Sequence, residues 1–129
     1  MRLDGRTVLV TGGASGLGGA TVDLVVAGGG RAVVVDINEQ TGQAKAARHG
    51  EAVRFVRTDV TSAADMQGAV DTAVREFGHL HGLVCAAGIG VAERVLPKEG
   101  PQPLEHFVRT IQINLVGTFN AIRLAAAAM

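Results

Sequence analysis

Two groups of residues have types and spacings suited to holding a nucleotide. The first is Thr11-Gly12-Gly13-Ala14-Ser15-Gly16-Leu17-Gly18, which follows the apolar run Thr7-Val8-Leu9-Val10 and precedes a helical pattern. A helix that starts near Ser15 or Gly16 aims its unpaired N–H groups and positive dipole end over the turn, where an anion is stabilised. Gly12, Gly16 and Gly18 put no side chain in the way of a pyrophosphate, so Gly12, Ser15, Gly16, Leu17 and Gly18 are candidate cofactor contacts. The second group is Asp36, which closes the run Arg31-Ala32-Val33-Val34-Val35. A carboxylate at the end of the second strand accepts hydrogen bonds from ribose hydroxyls. Its charge repels a 2′-phosphate, and positions 14, 15 and 37 offer no Arg or Lys to receive one, which points to NAD over NADP.

Spacing separates this turn from other glycine loops. A P-loop requires Lys followed by Ser or Thr after its last glycine, and Gly19-Ala20 stands there instead. The G-x-G-x-x-G fingerprint fails as well, because counting from Gly16 places Thr21 at its third glycine. What remains is T-G-x-x-x-G-x-G.

The elements that position these groups follow from periodicity. Leu17, Ala20, Leu24 and Ala27 recur at helical spacing, and Gly28-Gly29-Gly30 ends that helix. Residues 39–49 form a weaker helix containing Gly42, and residues 52–57 a third, more polar strand suited to an edge. Thr58-Asp59-Val60-Thr61-Ser62 leads into a helix with Met66, Ala69, Val70, Ala73, Val74 and Phe77 on one face, capped by Thr61 or Ser62. Leu80 to Ala87 reads as a fourth strand, residues 91–103 with all three prolines as a loop, and residues 104–128 as one long helix. That helix carries Phe107, Ile111, Leu115, Phe119 and Ile122 on one stripe. Alternating strands and helices imply parallel strands joined by right-handed crossovers. The expected class is α/β, a Rossmann-like doubly wound sheet of order 3-2-1-4, truncated after the fourth strand and its following helix. Residues 1–129 are expected to form a single nucleotide-binding domain.

T-G-x-x-x-G-x-G between strand and helix resembles the nucleotide loop of the short-chain dehydrogenase/reductase family, and the resemblance covers the N-terminal half of that family's domain. It implies that Asp59 and Val60 contact the adenine ring and that Ala86, Ala87 and Gly88 let backbone approach the cofactor. The family usually carries Asn-Asn-Ala-Gly at the latter place, where this chain has Cys85-Ala86-Ala87-Gly88. Asn114, within Ile113-Asn114-Leu115-Val116-Gly117-Thr118-Phe119-Asn120, resembles the helix Asn of the family's catalytic tetrad, whose main chain holds a water of the proton relay. Without the family, Asp59 is a helix-leading loop residue and Asn114 a mid-helix Asn, unfavourable there. Within the family, Gly12 to Gly18, the loop Gly90 to Pro103 and Asn114 to Ala127 look most like bacterial type 2 3-hydroxyacyl-CoA dehydrogenases. The resemblance implies hydride transfer between NAD and a small-molecule hydroxyl or keto substrate, and a homo-oligomer for the full-length form.

In that family a Tyr, its pKa lowered by a nearby Lys and the cofactor's charge, moves the substrate proton. This chain contains no Tyr. It is therefore expected to be inactive alone, and its apolar edge and helix stripe invite association. The alternative is a non-catalytic nucleotide-binding or interaction module.

Hydrophobic residues at 47% and charged ones at 19% describe a folded chain, and a formal net charge of zero leaves no electrostatic footprint for nucleic acid or an acidic membrane. No stretch reaches membrane-spanning length and no N-terminal apolar core marks a signal peptide, so a cytoplasmic protein is expected. His79 and His81 read as turn residues beside Gly78 and Gly82, and no metal site is expected. The single cysteine, Cys85, reads as a buried strand residue.

Overall fold

The computed structural model describes residues 2–129. Strands β1 (Thr7–Thr11), β2 (Arg31–Asp36), β3 (Val53–Arg57) and β4 (Gly82–Cys85) alternate with helices α1 (Gly16–Ala27), α2 (Glu39–His49) and α3 (Ala63–Phe77). A loop after β4 leads to α4 (Leu104–Ile111), which passes through a π-helical turn at Gln112–Gly117 into α5 (Thr118–Ala128). Every strand pair is parallel and the order is β3-β2-β1-β4, the truncated Rossmann-like sheet that the sequence implies.

The two central strands are buried on both faces, and their two-residue period divides the core. Val8, Val10, Ala32 and Val34 pack with Val22 and Val25 of α1. Leu9, Val33 and Val35 pack with Met66, Ala69, Val70 and Ala73 of α3 and with Ala121 and Ala125 of α5. The strands therefore end side by side, and their C-terminal ends present the turns that build the site.

Four local expectations are corrected. The stripe assigned to α1 is its outer face, with Leu17 86% and Leu24 69% exposed, while Gly18, Gly19, Val22 and Val25 are buried. This helix is apolar all round, so periodicity gives no direction, and the seat of Gly18 on Gly12 fixes its rotation. The helix over 104–128 is not a uniform α-helix, because the π turn interrupts it. Strand β4 stops at Cys85 and starts at Gly82, since it pairs only with β1 over Val8 to Thr11. Cys85 lies exposed on that edge, and partial desolvation of its sulfur holds the thiol above its ordinary pKa.

Gly42 is more than a weak point in α2. A Cβ there would stand 2.0 Å from Cε2 of Phe55, so the ring on β3 lies directly against the helix backbone.

Candidate nucleotide-binding site

The helices differ at their N-termini. In α2 the Asn38 side chain accepts from Thr41 N, with Glu39 in the first turn. In α3 the Ser62 hydroxyl accepts from Asp65 N, and Asp65 sits in the first turn. Helix α1 has neither device: Ser15 occupies the cap position without a side-chain bond, and no acid stands in the first turn. Its positive end and free N–H groups are left to whatever occupies the space above the turn.

That space is a cleft of about 470 Å³. Gly12, Ser15, Gly16, Leu17, Gly18, Asp36, Asp59, Val60, Ala86, Ala87 and Gly88 all line it, so the fold gathers the eleven candidate cofactor residues around one cavity. Asn114 does not line it but sits at the rim next to Ile113, which does.

The glycines divide their work differently from the expectation. A Cβ on Gly12 would fall 2.7 Å from Ala87 N and 2.8 Å from Ala86 C, and one on Gly18 would fall 2.2 Å from Gly12 O. Both are glycine because backbone meets backbone. Only Gly16, with φ +54°, has nothing within 4 Å of its Cβ position, and it alone keeps an open side for a ligand. The β1 and β4 ends are stitched together beneath this turn: Ala86 N donates to Thr11 O at 3.0 Å, and Ala87 N to Thr11 Oγ1 at 3.3 Å.

Asp36 is half-buried at the end of β2. Its Oδ2 accepts from Ala14 N at 3.2 Å and its Oδ1 from Asn38 N at 3.0 Å, which ties the carboxylate to the glycine turn and to α2. Asp59 is exposed in the loop after the neighbouring strand β3, where its Oδ1 accepts from Thr61 N and Thr61 Oγ1 at 2.9 and 2.7 Å. Its Oδ2 has no hydrogen-bond partner among the described residues. The backbone here is anchored by Asp65, whose Oδ2 accepts from Asp59 N at 3.0 Å. That N–H and the Ser62 hydroxyl hold the Asp65 carboxyl below its ordinary pKa. Ile37, 61% exposed, faces the same cavity.

Asn114 uses its amide as a strand would use its backbone. Oδ1 accepts from Ile89 N at 2.9 Å and Nδ2 donates to Ile89 O at 2.7 Å. The side chain thus clamps the chain leaving β4 onto the π turn, which makes sense of an Asn inside a helix.

Sequence reasoning missed Val35, Ile37, Thr58, Ile89, Arg109 and Ile113 of the lining. Ile37 and Ile89 directly follow Asp36 and Gly88, so adjacency could have found them. Arg109 and Ile113 come from a helix that only tertiary folding brings to the cleft. Among the described residues no group of His, Cys, Asp and Glu is arranged to hold a metal.

A glycine turn between β1 and α1, a carboxylate ending β2 and a parallel 3-2-1-4 sheet make a truncated Rossmann-like α/β domain, and the chain belongs to the short chain dehydrogenase family, which it matches over residues 6–129. It is 43% identical over 127 residues to the 3-hydroxyacyl-CoA dehydrogenase type-2 of Bos taurus, covering 97% of this chain and 49% of that protein. It is 37% identical over 127 residues to a 2,5-dichloro-2,5-cyclohexadiene-1,4-diol dehydrogenase of Sphingobium indicum, covering 98% and 50%. A 3-alpha-(or 20-beta)-hydroxysteroid dehydrogenase of Mycobacterium bovis is 42% identical over 125 residues, covering 95% and 45%. The chain spans about half the length of these relatives. No helix among the described residues is long and apolar enough to cross a membrane.

Proposed function

We propose that this chain binds NAD and supplies the cofactor-holding part of an oxidoreductase acting on a hydroxyl or keto substrate. The observation that carries the reading is α1, the one helix of the first three whose N-terminus lacks both a capping side chain and an acid, and whose first turn opens on the cleft. The N–H groups at Gly16, Leu17 and Gly18 receive the pyrophosphate, and Asp36 receives the adenosine ribose hydroxyls. Ile37 and Val60 flank the adenine ring, and the free Oδ2 of Asp59 accepts from its amino group. NAD, when bound, supplies the hydride chemistry. Ala86, Ala87 and Gly88 bring backbone against its other half, and Asn114 holds that backbone through Ile89.

The names of the relatives make a 3-hydroxyacyl-CoA the first substrate to assay. The proton on the substrate oxygen needs a group such as the family's Tyr, and no Tyr occurs in these 129 residues. On this reading Asn114 is the part of the proton relay that the chain contains. A homo-oligomeric, cytoplasmic enzyme is the proposed setting. The second reading is a non-catalytic nucleotide-binding or interaction module.

Titration with NADH and NADPH tests the proposal. NADH binding in clear preference supports it, equal affinities overturn the choice of NAD, and binding of neither overturns the dinucleotide. Oxidation of a 3-hydroxyacyl-CoA by the chain joined to the C-terminal half of a family dehydrogenase that carries the Tyr, followed by NADH absorbance, separates the cofactor-holding part of an enzyme from the module.

A further inference from the structure

The loop from Asp59 to Ser62 forms one wall of the cleft, and its contacts with the rest of the protein have an unusual source. Val60 leans on the π turn at Gly117, where a Cβ would stand 2.6 Å from Val60 Cγ2. One turn on, Asn120 is only 5% exposed and spends its amide nitrogen on two main-chain carbonyls, donating to Val60 O at 2.9 Å and Ser62 O at 3.2 Å. Its Oδ1 accepts from Arg123 Nε at 3.1 Å and Nη2 at 2.8 Å. A guanidinium only donates, so it selects the oxygen and forces the amide nitrogen toward the carbonyls. Asn120 itself lies outside the cleft lining, with no route to the ligand except through Val60.

The same helical rod holds the other side of the site. Asn114, on the π turn, clamps Ile89 by both its amide atoms. One rigid element therefore grips the loops leaving both edge strands, β3 and β4, which the sheet order places two strands apart.

We propose that Asn120, oriented by Arg123 and seated beside Gly117, is a positioning residue that sets the Asp59–Val60 wall against the adenine of the bound cofactor. The inference rests on the dinucleotide reading of the cleft. It concerns one end of that cofactor, because the amide holds the Val60 wall while Asn114 holds the opposite one. Asn120→Asp puts a carboxylate oxygen in front of two carbonyl oxygens while its other oxygen still accepts from Arg123, so the wall is pushed away rather than the rod unfolded. Arg123→Met keeps the amide but lets it rotate.

The experiment is binding to the chain of two halves of the cofactor, ADP-ribose and reduced nicotinamide mononucleotide, together with NADH. Asn120→Asp is expected to weaken ADP-ribose and NADH about tenfold or more, with the mononucleotide changed less than about twofold. Arg123→Met is expected to show a smaller loss on the same two ligands. In the wild type, the Asn120 side-chain amide resonances are expected to shift with ADP-ribose and not with the mononucleotide, a readout that needs no variant to fold. Equal weakening of all three ligands, or an unmoved Asn120 amide on saturation with ADP-ribose, overturns the inference while the dinucleotide reading stands. Failure of the wild type to bind NADH or ADP-ribose overturns that reading, and this inference with it.

Discussion

Adding one methyl group at Gly16 and at Gly18 should do harm by different routes, although both glycines belong to the same motif. At Gly18 the new Cβ would sit 2.2 Å from Gly12 O and 2.7 Å from Gly12 C. Neither can retreat, because Gly12 is already pressed on Ala86 and Ala87, so α1 must move on the order of 1 Å to restore contact distance. Overpacking costs about 1–3 kcal/mol, and the gain in helix propensity returns about 1 kcal/mol, leaving a net loss of about 1 kcal/mol for Gly18→Ala. At Gly16 nothing lies within 4 Å, and only the left-handed φ of +54° opposes a side chain, which costs roughly 1–2 kcal/mol. For a chain of this size each kcal/mol lowers Tm by about 4 °C. Gly18→Ala should therefore melt about 4 °C lower and Gly16→Ala about 4–8 °C lower. Cofactor affinity should separate them further. Gly16→Ala fills the open side of the turn and disturbs hydrogen bonds to a charged group, each contributing about 1.5–3 kcal/mol, so a folded Gly16→Ala protein should bind NADH about 10- to 100-fold more weakly. Thermal denaturation and NADH titration on the two variants measure both quantities. NADH affinity of Gly16→Ala within twofold of wild type would refute the placement of the phosphates over Gly16, and an unchanged Tm for Gly18→Ala would refute the packing argument.

Other expectations follow from the same geometry. Asp36→Ala removes the ribose acceptor and should weaken NAD by about one to two powers of ten, with NADP losing less or gaining; equal losses in parallel titrations would sink the assignment. Gly42→Ala drives a Cβ into the Phe55 ring and should lower Tm by several °C through about 1–2 kcal/mol of net overpacking. Adding Phe55→Leu should recover part of it, whereas a stabilised single variant would show that the ring swings aside freely. Asp65 is held below the ordinary carboxylate value of 3.8, so the native state binds fewer protons there than the unfolded chain. Its stabilising contribution is complete above that pH and is lost as pH falls through the lowered pKa. Asp65→Asn should flatten the dependence of the urea midpoint on pH below about pH 4, and an unaltered slope would remove Asp65 from the acid sensitivity.

The sheet was legible because buried parallel strands are written as continuous β-branched runs, as in Val33 to Val35, and because glycines end α1, α2 and α3. The face of α1 was not legible, since Leu17, Ala20, Leu24 and Ala27 compete with Val22 and Val25 on an apolar cylinder. A contact between Gly18 and Gly12 decides the matter, and no periodicity encodes it. The π turn left no trace, because Phe107, Ile111, Leu115 and Phe119 recur in steps of four as on any amphipathic α-helix. Arg109 and Asn120 had no signal at all, because their roles depend on which loops the rod touches.

The glycine motif deserves a narrower reading than its usual one. Two of its three glycines are required by contacts within the protein, so any chain with this β1–α1–β4 junction needs them whether or not it binds a nucleotide. A match to the motif is thus first a statement about how α1 docks. The ligand enters through the one motif glycine left open, Gly16, and through features the motif does not contain: the cap position of α1 left unpaired, the exposed Ile37, and an Asp36 carboxylate fixed by Ala14 N and Asn38 N. A module that had lost its nucleotide would keep Gly12 and Gly18 for packing, but nothing in the fold would oblige it to leave α1 uncapped. The uncapped helix is therefore the stronger argument for a bound anion.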